Sequence, residues 1–202
     1  MVSAETPTPR RRADAERSIA RIVTAARVSL SRNPDATVDD IAKAAGVGRM
    51  TLYGHFRTRS ELVERALVDA LEAGDKVLAD VDLGGDARKA MARLLASSWQ
   101  LVAESAALLT AAQSVLPAGR LQDLHSDAAE RVEGLIRRGQ EQGVFRTDLP
   151  LSWLVSSMHY ILNGAAQENR AGRLDATQAT QVVAATVLSI LSAPAAENLT
   201  TP

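Results

Sequence analysis

Apolar residues recur every three or four positions along most of this chain, a spacing that is typical of α-helices packed on one face. No segment alternates with period two for long enough to predict a β-sheet. The pattern predicts an all-α protein of about nine helices. The expected helices cover residues 14–32, 38–45, 49–56, 59–80, 86–106, 107–115, 120–142 and 150–170, followed by a last helix capped by Asp175.

Two short predicted helices in residues 37–62 differ from the rest of the chain. Thr37 stands at an N-cap position with Asp40 three residues later, which resembles a capping box. Gly46 is expected to end the first helix in a left-handed conformation that glycine adopts without a Cβ penalty. The second helix is rich in hydrogen-bonding side chains. A helix pair with a glycine turn and a polar second helix is the arrangement that presents a helix to the major groove of DNA.

The composition excludes some kinds of site but does not by itself identify a function. The chain of 202 residues has 46% apolar residues, 23% charged residues and no cysteine, which excludes disulfides and thiolate metal sites. Through residue 65 there are 12 Lys and Arg against 8 Asp and Glu, while the remaining residues are acidic overall. The basic end is therefore the end with the helix pair, as expected if only that end meets phosphates.

The expected organisation has four parts. Residues 1–12 include Arg10, Arg11 and Arg12 and form either a solvated tail or a flexible basic arm that reaches DNA phosphates. Residues 13–58 form a three-helix DNA-binding domain, residues 59–193 a larger helical domain, and residues 194–202 a flexible tail.

The run IAKAAGVGRMTLYGHFRTRSEL resembles the DNA-binding segment of the TetR family of bacterial transcriptional repressors. The similar positions are Ile41-Ala42, Ala45-Gly46-Val47, Thr51-Leu52-Tyr53, His55-Phe56 and Glu61-Leu62. The resemblance implies a homodimer with an N-terminal domain that binds double-stranded operator DNA. It also implies a larger domain that holds a small-molecule effector and the dimer interface.

The resemblance also implies which residues contact DNA. Those at phosphate-contacting positions are Thr37, Tyr53 and Arg59, and those on the groove-facing surface are Arg49, Met50, Thr51 and His55. Gly48 is a further predicted DNA contact, at a position where the family usually has a side chain that can reach phosphate. The chemistry of the side chains agrees, since arginine pairs with guanine O6 and N7, and Met50 and Thr51 suit a thymine methyl. His55 is equally well explained as a packing residue beside Phe56.

Three residues depart from the family pattern. Gly48 replaces the usual Ser or Thr, so a side-chain cap is lost at a cost of a few tenths of a kcal/mol. Gly54 lies within the recognition helix and is expected to cost about 1 kcal/mol relative to alanine. Asp39 places a negative charge on a surface that should attract DNA. These departures predict a less rigid recognition helix.

Candidate effector contacts lie in the larger domain, although each of these residues is also an ordinary core residue. They are Met91, Leu95, Trp99, Gln113, His125, Trp153, Ser157 and Tyr160. Because these helices carry little spare charge, we expect a small, mainly apolar effector.

The last two helices contain small and apolar residues that permit a four-helix dimer interface, the alternative being an intramolecular core. The predicted dimer contacts are Gly164, Ala165, Val183, Val187 and Ile190.

The sequence therefore predicts a ligand-responsive repressor that binds a palindromic operator as a dimer and is released by its effector. The alternative is an effector-independent DNA-binding protein whose helical domain only dimerises or contacts a partner. No Gly-x-Ser-x-Gly, phosphate loop or His-Glu-x-x-His motif is present, so no enzyme, metal or cofactor is predicted. No membrane span or secretory signal is expected, which favours a cytoplasmic location.

Overall fold

The computed structural model describes residues 9–193, with backbone alone for residues 9–12. These residues form nine α-helices and no strand, so the predicted all-α fold is confirmed. The helices are α1 (Pro9–Arg32), α2 (Val38–Ala45), α3 (Arg49–His55), α4 (Arg59–Ala79), α5 (Ala87–Gln113), α6 (Ala118–Leu124), α7 (Ser126–Glu141), α8 (Leu151–Arg170) and α9 (Ala176–Leu191).

The described residues divide into two compact units. The first contains residues 9–72 and 107–121, and the second contains residues 73–106 and 122–193. Helices α4 and α5 therefore each begin in one unit and end in the other. The sequence placed residues 107–121 in the larger domain that was predicted to begin at residue 59. They belong instead to the first unit, through tertiary packing that the sequence pattern does not show.

The first unit is built around α1, which packs on α2. Its fully buried side chains include Ile22 and Leu30 of α1, Ile41 of α2 and Leu62 of α4, all 0% exposed. Leu108 from the end of α5 is also fully buried in this unit. The two short helices thus gain their stability from packing on longer ones rather than from helix propensity.

The second unit has a larger apolar core, in which α8 packs against α7 and α9. The largest side chains of this core include Met91, Trp99, Phe145 and Leu154. Val183 and Val187 of α9, predicted at a dimer interface, are 1% exposed and belong to this core. Their burial corrects that assignment, since the α9 apolar stripe is used within the subunit.

The helices differ from the prediction in three places. Residues 87–113 form one helix of 27 residues, α5, where two helices over 86–106 and 107–115 were predicted. Residues 120–142 form two helices, because His125 has φ −103° and ψ 4° and interrupts the helix between α6 and α7. Helix α1 begins at Pro9, so the backbone of the predicted arginine arm is helical from that residue on.

Other predictions for the chain ends fall beyond the described part. The arm through residue 8 and the tail from residue 194 lie outside the described residues. Within residues 9–193, no helix is long and apolar enough to cross a membrane.

Candidate nucleic-acid interface

Helix α2 begins at a complete capping box, as predicted from Thr37 and Asp40. The backbone N–H of Asp40 donates to Thr37 Oγ1 at 3.2 Å, and the backbone N–H of Thr37 donates to Asp40 Oδ2 at 2.9 Å. The Thr37 hydroxyl also donates to Asp40 Oδ2 at 2.6 Å. These hydrogen bonds, first from the Thr37 side chain and then from its backbone, lower the pKa of Asp40. The start of α2 is therefore fixed by local contacts.

The turn between α2 and α3 requires a glycine. Gly46 has φ +65°, and its N–H donates back to the carbonyl groups of the last turn of α2. Gly48 is the N-cap of α3 and provides no side-chain cap. The predicted glycine turn is thus present, and α3 depends on packing rather than on capping for its position.

One face of helix α3 is packed in the first unit, and the other face is exposed. Leu52 is 1% exposed, and Phe56, which caps the helix C-terminus, is 6% exposed. Met50 is 82% exposed, and Gly48, Arg49 and Thr51 are also exposed. A single buried leucine therefore anchors the helix and directs its first turn outward.

A concave surface in the first unit brings together four of the eight predicted DNA contacts, from α3, α4 and the loop before α2. Its lining residues are Asp35, Thr37, Val38, Asp39, Arg49, Tyr53, Arg59 and Ser114. The other four, Gly48, Met50, Thr51 and His55, lie on α3 outside this lining, and His55 is partly buried beside Phe56.

Arg49 has two partners on this surface. Its Nη1 donates to Asp39 Oδ2 at 2.8 Å, and its Cζ lies 5.5 Å from the centroid of the Tyr53 ring. Stacking of a guanidinium on an aromatic face is favourable and also limits where the side chain can swing. The guanidinium is thus oriented before any ligand arrives.

Two of the predicted phosphate contacts have most of their donors engaged. Both donors of Thr37 point to Asp40, as described above. Arg59 donates from Nη1 to the Ala36 carbonyl and from Nη2 to the Pro34 carbonyl, the latter at 3.1 Å. Arg59 therefore fixes the loop between α1 and α2, a role that the sequence did not indicate. By contrast, the Tyr53 hydroxyl has no hydrogen-bond partner among the described residues.

Sequence reasoning missed several residues of this surface. The sequence indicated Asp39 as a helix-start carboxylate and as a charge unfavourable to DNA, but not as a partner of Arg49. A contact between residues ten positions apart on two helices is not visible in the sequence. Ser114 directly follows the end of α5, far along the chain. The Ser60 hydroxyl donates to the Val115 carbonyl at 3.2 Å, and Arg120 Nη2 lies 2.6 Å from Glu64 Oε1. These contacts join the α5–α6 segment to the start of α4.

The predicted effector contacts do not form one cluster. Met91, Leu95 and Trp99 are between 0% and 3% exposed in the second-unit core. Trp153 and Tyr160 are instead 55% and 71% exposed, so they lie at the surface and not beside these three core residues.

The remaining predicted effector contacts carry polar groups. Gln113 is exposed and belongs to the first unit, whereas His125 and Ser157 are partly buried in the second. Burial lowers the pKa of His159, and the nearby imidazole of His125 lowers it further, so the neutral form of His159 is favoured. Within the described part of the chain, no group of three or more His, Cys, Asp or Glu is placed to hold a metal ion.

The predicted dimer residues divide between surface and core. Gly164 is exposed, Ala165 and Ile190 are partly buried, and Val183 and Val187 are in the core. On the same two helices, the large apolar side chains of Trp153, Tyr160 and Val182 are 47% to 71% exposed.

Comparison with known proteins gives the same picture of the first unit. Residues 18–66 match the family model described as bacterial regulatory proteins, tetR family. This segment contains α2 and α3 and the predicted DNA-contacting residues. A comparison with curated proteins gave no match.

Solved structures extend the similarity to the whole fold. The TetR-like regulator LfrR from Mycobacterium smegmatis, in complex with proflavine, is 20% identical with a TM-score of 0.71, over 89% of this chain and 98% of that chain. RolR in complex with resorcinol is 24% identical with a TM-score of 0.61, over 91% and 92%. The TetR-family regulator PfmR from Thermus thermophilus is 25% identical with a TM-score of 0.63, over 84% and 96%.

Proposed function

We propose that this chain is a ligand-responsive repressor of the TetR family, because residues 18–66 match the model of that family and solved structures of TetR-like regulators share its fold. Members of this family are DNA-binding transcription factors and not enzymes. The repressor binds a near-palindromic operator as a homodimer in the cytoplasm. A small, mainly apolar effector releases it.

One observation carries the DNA-binding part of this proposal. Helix α3 buries Leu52 and turns Arg49, Met50 and Thr51 outward. An arginine can pair bidentately with guanine, and methionine and threonine can contact a thymine methyl. The unpartnered Tyr53 hydroxyl suits a phosphate oxygen, which fixes the register of the helix on the duplex.

Selection of bound fragments from a random DNA pool tests the proposal directly. We expect the enriched fragments to contain two inverted half-sites, because a two-fold dimer places its recognition helices about one helical turn, ~34 Å, apart. A pool that shows no enrichment after repeated rounds would contradict operator binding.

Arg49→Ala is expected to remove the preference for one base pair in each half-site. The loss should be about 1–3 kcal/mol, the contribution of a bidentate arginine–guanine contact. Its ion pair with Asp39 is exposed, so the free energy of unfolding should change little. Competition binding with singly substituted operators measures the effect.

Tyr53→Phe provides the matched comparison, since it keeps the ring beneath Arg49 and removes only the hydroxyl. It should weaken all operator sequences alike. A base preference that survives in Arg49→Ala, or that changes in Tyr53→Phe, would contradict these assignments.

The effector part of the proposal rests on the second unit. Burial lowers the pKa of His159, which disfavours its charged form, and Ser157 and His125 are partly buried polar residues of the same unit, whose buried core is apolar. A site with few polar groups and no opposing charge favours an uncharged ligand. By thermodynamic linkage, an effector that weakens operator binding must bind more weakly to the operator-bound protein than to the free protein.

Two molecules bound by structural relatives serve as probes of effector charge. RolR binds the uncharged resorcinol, and LfrR binds the cationic dye proflavine. We expect an uncharged aromatic such as resorcinol to lower operator affinity more than proflavine does, as measured by fluorescence anisotropy of labelled operator. Because proflavine itself binds DNA, its effect is corrected with a chain-free control. Release by proflavine alone would contradict an apolar effector.

A second candidate is an effector-independent DNA-binding protein. The burial of Met91, Leu95 and Trp99 favours it, since side chains 0% to 3% exposed do not line a space that admits a ligand without rearrangement. Operator affinity that no member of a broad ligand set changes would support this candidate.

The proposed homodimer uses the outer faces of α8 and α9. Trp153, Tyr160 and Gly164 follow one another at intervals of seven and four residues on α8, and all three are exposed. Val182 of α9 is also exposed. Exposed apolar residues on two adjacent helices suit a self-complementary two-fold interface.

A further inference from the structure

The ion pair between Asp39 and Arg49 joins the two helices of the DNA-binding motif at the surface. Asp39 lies in the first turn of α2, and Arg49 is the first residue of α3. The Arg49 Nη1 to Asp39 Oδ2 distance is 2.8 Å, and both side chains are 59% exposed. The contact is thus well formed in a place where solvent and ligand can reach both groups.

Stability of the fold does not account for this pair. Exposed ion pairs contribute little to stability because water and salt screen them. Asp39 is also not needed to begin α2, since Thr37 and Asp40 already form the complete capping box. The carboxylate instead lies on a surface whose neighbouring cations would otherwise attract phosphate.

The geometry leaves most of the Arg49 guanidinium available. Arginine has five N–H donors in a planar fork, and Asp39 accepts from Nη1. The Tyr53 ring covers one face of the plane, with its centroid 5.5 Å from Cζ. The side chain is thus held by one nitrogen and one face, while its other donors can still form the two parallel hydrogen bonds that guanine accepts.

We propose that Asp39 is a specificity-determining residue that positions Arg49 for guanine and keeps it from the phosphate backbone. The proposal rests on the proposed function, because it concerns the same DNA-binding surface. The carboxylate has two effects: it orients Arg49, which increases discrimination between sequences, and it repels phosphates, which lowers affinity for all sequences. The first effect requires Arg49, whereas the second does not.

Asp35 offers a matched control for the second effect. Its carboxylate lines the same concave surface, is exposed, and forms no ion pair among the described residues. Asp35→Asn and Asp39→Asn each remove one negative charge from this surface. Only Asp39→Asn removes the ion pair with Arg49, leaving at most a neutral amide oxygen as its acceptor.

The experiment compares the wild-type chain with Asp39→Asn, Asp35→Asn, Arg49→Ala and the double variant Asp39→Asn/Arg49→Ala. Each is titrated with the selected operator, with a scrambled duplex, and with an operator changed at the base pair that Arg49→Ala no longer distinguishes. Circular dichroism at the assay temperature checks that every variant is folded.

Both single asparagine variants should bind the scrambled duplex more tightly than the wild type. Asp39→Asn alone should also lose discrimination at the Arg49 base pair, by at least about 5-fold, the lower end of what a bidentate contact contributes. In the Arg49→Ala background, Asp39→Asn should change the affinity for all duplexes alike.

Two outcomes overturn the positioning role while leaving the proposed function intact. In one, Asp39→Asn keeps full discrimination and behaves as Asp35→Asn does, so the carboxylate acts only as a bulk charge. In the other, Asp39→Asn reduces discrimination equally with and without Arg49. A wild-type chain that selects no DNA sequence overturns the proposed function, and this inference with it.

Discussion

Replacing Gly139 by alanine is expected to lower the free energy of unfolding by about 1–3 kcal/mol, the usual cost of forcing extra atoms into a packed core. A Cβ at this position would lie 2.0 Å from Phe145 Cδ2 and 2.5 Å from its Cε2. Phe145 is 2% exposed and belongs to the second-unit core. The overlap therefore falls on a buried ring of the core and not on the flexible end of a surface side chain.

The Phe145 ring is also held through its own backbone. The N–H groups of Val144 and Phe145 donate to the Gly139 carbonyl at 2.9 Å and 3.0 Å. Gly143, with φ +70°, forms the turn that brings the chain back over the end of α7. Moving the ring away from a new methyl group would disturb these hydrogen bonds, so the strain cannot be relieved by a rotamer change alone.

Denaturant unfolding monitored by circular dichroism measures this effect, and Gly134→Ala is its matched control. Gly134 is exposed on the same helix, and a Cβ there meets no atom within 4 Å. Alanine at Gly134 should stabilise the protein by up to about 1 kcal/mol through helix propensity. Phe145→Leu combined with Gly139→Ala should cost less than the sum of the two single changes. Simple additivity would show that contact with the ring is not the cause.

Local signals explain why α2 and α3 were predictable from the sequence. Helix α2 has the bounds predicted from sequence, Val38–Ala45, because Thr37 and Asp40 cap one end and Gly46 ends the other. Each of these contacts spans no more than five residues. The polar exposed face of α3 follows from the same short segment, since Leu52 is its one buried residue.

Features that depend on tertiary packing were not predictable in this way. Residues 87–113 contain no glycine or proline and form one helix. The hydrophobic pattern did not show this continuity and predicted two helices instead. No breaker marks the interruption at His125 either. The Asp39–Arg49 pair and the outward direction of Trp153 depend on how helices cross, which hydrophobic periodicity does not specify.

A glutamate in place of Gly164 is expected to prevent formation of the proposed dimer. Gly164 is exposed on α8, and a Cβ there meets no atom of its own chain within 4 Å. The substitution therefore leaves the folded subunit undisturbed and improves helix propensity. In a two-fold interface, each new carboxylate would be buried near its symmetry-related copy, where like charges repel and desolvation is costly.

Loss of the dimer should carry a large penalty in operator binding. A monomer engages one half-site, and losing the second, linked half-site costs about 10²- to 10⁴-fold in affinity. Sedimentation equilibrium would report the association state, and titration of a two-half-site operator against a single half-site would report the avidity. The single half-site affinity should be unchanged, because Gly164 lies outside the DNA-binding unit.

Gly134→Glu tests whether position, rather than charge, is responsible. It introduces the same side chain at an exposed glycine of α7 that likewise has open space around its Cβ. We expect this variant to dimerise and bind the operator as the wild type does. If Gly164→Glu remains dimeric while Gly134→Glu does not, the interface includes α7 instead of the α8 face, and Trp153 and Tyr160 need another explanation for their exposure.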